Sequence, residues 1–139
     1  MKAFMTGVLV LSLTSAANGE PLYGGMVAST IIPCDGQPRV VAQEVPSGAK
    51  ITRSQVWIGA QRGDVQDSYI VVDVAETGNL IQFASFDRYI DLDKLVNMDY
   101  GQDHIAIAPG EHLRITMYCL TLTDRMGTAH FTLSLWARP

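Results

Sequence analysis

The sequence predicts an all-β protein, a two-sheet antiparallel sandwich preceded by an export signal. Two stretches near the C-terminus, 113–122 and 129–137, alternate apolar and polar residues, the mark of strands with one buried face. Turn residues (Gly, Pro, Asn and Asp) recur between short β-branched runs along the rest of the chain. Helical spacing occurs in a single segment, inside 87–103.

The chain opens with Lys2, continues with an uncharged apolar run from Ala3 to Leu13, and passes through small residues to Ala17-Asn18-Gly19. That order reads as a secretory signal peptide, residues 1–19, cleaved after Gly19 (or Ala17). The apolar run is too short for a bilayer span, which takes about 20 residues. Residues 20–139 then form a single domain that is secreted or periplasmic. Losing Lys2 leaves nine basic against fourteen acidic residues. An acidic chain without basic clusters speaks against nucleic acid and anionic membrane as partners.

After an irregular 20–27, strands are expected at 28–32, 39–45, 51–60, 68–75 and 80–86. Pro33 and the Asp35-Gly36 turn end the first, Pro46 to Gly48 the second, and Gly59 and Gly63 mark the exit of the third. Glu76-Thr77-Gly78-Asn79 is a compact turn that makes the last two a hairpin. In 87–103, Leu92, Leu95 and Val96 stand at helical spacing behind Asp91, a residue able to cap a helix, so a turn or two of helix is expected there. Strands resume at Ile105. Leu113–Leu122 and Ala129–Ala137 are read as a hairpin across TDRMG, at the centre of the sandwich. About eight strands favour a jelly roll, with an immunoglobulin-like arrangement as the alternative.

Two cysteines, Cys34 and Cys119, stand 85 residues apart, a spacing unsuited to a zinc site or a redox pair. In an exported chain such a pair is expected to form a disulfide bond. Asp91, Asp93, Asp99 and Asp103 crowd one segment and are the candidate ligands for calcium, the sole cofactor considered. His104, His112 and His130 lie on three segments without metal-ligand spacing. Signatures of serine hydrolases, phosphate loops and zinc peptidases are absent. Glu44, Asp73, Glu76 and Glu111 are scattered carboxylates with no defined separation, so catalysis is not expected.

Strand parity sets four aromatic residues opposite the aliphatic ones. Trp57 goes with Arg53 and Gln55, Tyr69 with Asp73, Tyr118 with Arg114 and Thr116, and Trp136 with His130, Thr132 and Ser134. Aromatics beside Arg, Asp and His on polar strand faces suit ligands and partner proteins. The expected binding set is therefore Trp57, Tyr69, Asp73, Arg114, Tyr118, His130 and Trp136, serving carbohydrate or a cell-surface protein. The alternative is a structural subunit of a homo-oligomeric extracellular assembly, and the weaker one a small secreted hydrolase.

Overall fold

The computed structural model describes residues 10–13, 24–45, 48–62, 65–87, 93–122 and 127–138, and its regular structure is entirely β. Among the described residues the chain reverses once in a tight hairpin. β5 (Val65–Val74) meets β6 (Leu80–Asp87) across a turn in which Gly78 adopts φ of 76°, a left-handed conformation that favours glycine. From that hairpin the chain pairs outward with itself. β4 (Lys50–Arg62) pairs with β7 (Asp93–Asp99), β3 (Arg39–Glu44) with β9 (His112–Thr121), and β2 (Gly24–Pro33) with β10 (Thr128–Arg138). This long antiparallel ribbon wraps, so that β5 also meets β9 and β4 also meets β10. The outcome is one sheet ordered β2-β10-β4-β7 and another ordered β3-β9-β5-β6. Eight strands wound in that order are a jelly roll, the preferred expectation. The two-residue β8 (Ile105–Ala106) adds to β4, and β1 (Val10–Leu13) lines the outer edge of β2.

Two expectations are corrected. The strands read as a C-terminal hairpin do not pair with each other. β9 lies between β3 and β5, and β10 lies between β2 and β4 in the opposite sheet. Each strand buries a full apolar row, and stacking one row on the other across the core removes both from water. The segment read as helical is likewise a strand over 93–99. Val96 and Met98 are half-buried while Leu95, Asn97 and Asp99 are exposed, an alternation that fits the free edge of β4. Lys94, on the half-buried side, reaches the Ser85 carbonyl oxygen at 2.7 Å with its ammonium. Leu92 and Asp91, the rest of the expected helix and its cap, lie outside the described residues.

Between the sheets lies the core. Ile32, Ile58, Phe131 and Leu133 of one sheet meet Ile70, Ile81, Ile115 and Met117 of the other, all of them buried. Each such side chain contributes about 1.5–3 kcal/mol through burial. A polar bridge crosses this layer. The Ser54 hydroxyl on β4 donates to Oε1 of Gln82 on β6, with the Tyr100 hydroxyl 3.3 Å away, so the buried polar atoms satisfy one another. Burial pushes the Tyr100 phenol above its usual range.

Cys34 and Cys119 are bonded, as expected. The bond sits where the chain leaves β2 for the other sheet, and backbone hydrogen bonds frame it. The Cys34 amide donates to the Gly127 carbonyl at 2.9 Å, and the Cys34 carbonyl accepts from the Thr121 amide at 3.0 Å. Just beyond, Gly36 has φ of 77°, and a Cβ there would lie 3.1 Å from Leu120 Cδ1. Asp35 holds Arg39 with two hydrogen bonds of 2.8 Å, which keep its carboxyl below the usual range. Sequence-distant strand ends are thereby fixed together at the corner between the sheets.

Candidate functional site

Strand register determines which side chains share a surface. On the outer face of β2-β10-β4-β7, Thr132 stands opposite both Ser29 and Trp57, and Trp57 opposite Leu95. Two residues along, Ser134 stands opposite Val27 and Gln55, and Gln55 opposite Asn97. Trp136 faces Arg53, which faces Asp99, while His130 lies between Ile31 and Gly59. On the outer face of the other sheet, Tyr69 stands opposite Tyr118 and Asp73 opposite Arg114. Val40, Thr116, Val71 and Phe83 form a row between those two pairs.

The seven residues expected to bind therefore do not share a face. Trp57, His130 and Trp136 occupy one side of the sandwich, and Tyr69, Asp73, Arg114 and Tyr118 the other. Parity within each strand is as expected, since all seven point away from the core and are half-buried. Their division follows from β9 and β10 entering different sheets.

Each aromatic ring already has a partner. Tyr69 and Tyr118 stack with centroids 4.9 Å apart, and Trp57 meets the His130 ring edge-on at 5.1 Å. The Arg53 guanidinium lies 3.8 Å from the Trp136 ring centroid, a cation–π contact that occupies one ring face. His130 Nε2 is also 2.6 Å from the Ser29 hydroxyl. Arg114 donates to both oxygens of Asp73, from Nε at 3.0 Å and from a terminal nitrogen at 2.7 Å. These contacts brace the faces and use up much of the polar capacity that ligand recognition requires.

The faces also leave large apolar side chains open, beside exposed Ser29, Arg53, Asn97 and Asp99. Val27, Ile31 and Leu95 are between 43% and 56% exposed on the first face; Val40, Phe83 and Leu80 are between 48% and 60% exposed on or beside the second. Sequence reasoning missed this set. The odd-numbered parity of 27–31 carries the signal for Val27 and Ile31, whereas Leu95 was hidden by the helical reading of its segment.

A β-bulge between Trp136 and Ala137 marks one end of the first face, where the Thr52 hydroxyl donates to the Trp136 carbonyl oxygen at 3.2 Å. Beside it is an open hollow of about 260 Å³ lined by Thr52, Arg53, Asp99 and Trp136. Bulges re-aim side chains and are frequent beside binding sites.

Among the described residues the aspartates do not come together. Asp93 and Asp99 are the two ends of β7, roughly 20 Å apart at strand rise, too far to share an ion. Asp99 accepts a hydrogen bond from the Gly101 amide, Asp103 lies in the following bend, and Asp91 is outside the described residues. Among the described residues no group of three or more His, Cys, Asp or Glu side chains is placed to hold a metal ion. The histidines are dispersed as well. His112 pairs with Glu76 at 3.0 Å, His104 lies 3.3 Å from an Arg138 nitrogen, and His130 sits on the opposite sheet from His112. No helix among the described residues is long and apolar enough to cross a membrane.

Strand order and faces define a jelly-roll sandwich whose aromatic-braced outer faces each expose large apolar side chains. No protein-family model and no curated protein matches the sequence. Several solved structures are similar to it. The decameric BFDV capsid protein is 10% identical with a TM-score of 0.44, over 81% of this chain and 95% of that chain. The Israel acute paralysis virus pentamer is 10% identical with a TM-score of 0.35, over 69% and 60%. The virus-like particle of the extra small virus of the prawn Macrobrachium rosenbergii is 11% identical with a TM-score of 0.29, over 97% and 94%. Likeness at this level says nothing of what this chain binds or builds.

Proposed function

We propose that the chain is an exported, non-enzymatic structural subunit that joins copies of itself into a homo-oligomer through the outer faces of its sandwich. One observation carries this reading: large apolar side chains are exposed on both faces, Val27, Ile31 and Leu95 on one side and Val40 and Phe83 on the other. A module that holds a single ligand needs one such face, while an extended assembly needs at least two contacts per copy. The exposed apolar groups are mostly aliphatic and the rings are already paired, so flat contact with protein suits the faces better than stacking on a sugar. Export is supported by the leader-like start and by the bonded Cys34 and Cys119.

Light scattering of the purified protein at tens of micromolar tests the reading. Oligomers are expected, and Leu95→Lys or Phe83→Lys should each weaken self-association at least about tenfold while changing the melting temperature by a few degrees at most. A strict monomer across that range would end the proposal. A second reading, a binding module for a small polar ligand such as a carbohydrate, draws on the hollow between Arg53, Asp99 and Trp136. For that reading a glycan array should yield a ligand whose affinity falls at least about tenfold in Trp136→Ala, with self-association unchanged.

A further inference from the structure

The free edges of the two sheets are not alike. β7 carries Lys94 and Asp99, and β3 carries Arg39 and Glu44. Charges of this kind protect exposed strand edges from pairing with other chains. β2, with the sequence GGMVASTIIP, has ten residues and no charge, and Val27 and Ile31 project from it exposed. Its outer edge is covered among the described residues by β1 alone, from Val10 opposite Ser29 to Leu13 opposite Met26. β1 lies wholly within the stretch that reads as an export signal.

We infer that β1 is a removable cover, and that its loss on export opens the β2 edge to β2 of a second copy, antiparallel about a two-fold axis. The inference rests on the assembly reading above and on the expected processing, in which a peptidase adds water across the Gly19–Glu20 peptide bond. Residue i of a strand and its partner must present side chains to the same side of the joined sheet, so their numbers sum to an even value. Pairing centred on Ser29 satisfies this and sets Val27 of each copy opposite Ile31 of the other, two apolar cross-strand pairs on the outer face. The dimer would be a continuous sheet across both sandwiches, and the retained leader would hold the precursor apart until it is exported.

Residues 20–139 contain all eight wound strands, the disulfide and a buried core running from Ala28 to Ala137, so they form a complete sandwich without β1. The test compares residues 1–139 with 20–139, both refolded with the disulfide formed, by sedimentation at several concentrations. The shorter chain should self-associate at least about tenfold more tightly. Leu11→Pro in the full-length chain, which spoils β1 pairing without shortening the protein, should do the same. Ile31→Lys in 20–139 should undo that tenfold gain. If 1–139 and Leu11→Pro associate as tightly as 20–139, the edge inference is overturned. Should that shared association be broken by Leu95→Lys, three strands away on β7, the face reading survives without the edge. Monomers throughout would remove both.

Discussion

Tyr69 on β5 and Tyr118 on β9 stand directly opposite each other, and their rings stack with an interplanar angle of 14°. Neither is in the core, yet the pair joins two central strands on the outside of their sheet. Cross-strand aromatic pairs contribute about 0.5–1.5 kcal/mol beyond their buried area. A double-mutant cycle with Tyr69→Ala and Tyr118→Ala, read by chemical denaturation, should return a coupling of that size. Strict additivity of the two losses would show that the stack is incidental.

The disulfide should dominate the stability of the corner between the sheets. Replacing Cys34 and Cys119 together by Ala is expected to cost about 2–5 kcal/mol, the usual loss for a small exported domain. Equilibrium unfolding in urea measures it, and a loss below 1 kcal/mol would mean the framing hydrogen bonds of Cys34 suffice without the bond.

Parity on β10 gives a contrast within two neighbouring residues. Leu133 is fully buried, and Leu133→Asp puts an unpaired carboxylate in the core, a loss of several kcal/mol. Thr132 points outward between Ser29 and Trp57, and Thr132→Asp should cost about 1 kcal/mol or less. Equal damage from the two substitutions, compared by thermal unfolding of the dilute protein, would mean that both sides of β10 are buried within the sandwich itself.

Ser68, opposite Cys119, buries a hydroxyl that has no hydrogen-bond partner among the described residues. Ser68→Ala removes an unpaired polar atom and is expected to stabilise the protein by about 1 kcal/mol. Ser54→Ala should do the reverse, since it strips Gln82 of its buried partner, with a loss of about 1–3 kcal/mol. A destabilised Ser68→Ala protein would show that this hydroxyl is satisfied after all.

A pH effect should trace to Glu76 and His112. The hydrogen bond to Glu76 raises the His112 imidazole above its ordinary value of 6.5, helped by the nearby charge of Glu44. That contribution is complete below 6.5 and lost as pH climbs through the raised value. Hydrogen bonds from the His112 ring and amide hold Glu76 below its ordinary 4.5, so its contribution is complete above 4.5 and lost as pH falls through the lowered value. Together they favour the folded state most between about pH 4.5 and 6.5. The melting temperature of wild type relative to Glu76→Gln should peak in that interval. A flat difference would show that solvent screens the exposed pair completely.

Local pattern alone determined a good deal of this protein. Alternation in 113–122 and 129–137 showed which side of each strand is buried, because side chains on a strand point to opposite faces whatever it pairs with. Turn chemistry at Glu76 to Asn79 identified the tight hairpin of β5 and β6, since a left-handed Gly78 acts through its own backbone. The cysteine pair followed from number and the expectation of export. Pairing partners were another matter. Whether β9 and β10 lie side by side or face each other depends on which strands compete for their edges, and β3, β5, β2 and β4 take all four. The same competition turned 93–99 into a strand, because the free edge of β4 offers backbone hydrogen bonds that local helical spacing cannot match. That one topological decision split the aromatic set between two faces and brought exposed Leu95 into line with Trp57. Non-local hydrogen bonding made the choice, and such pairing leaves no periodic trace in the residues that take part.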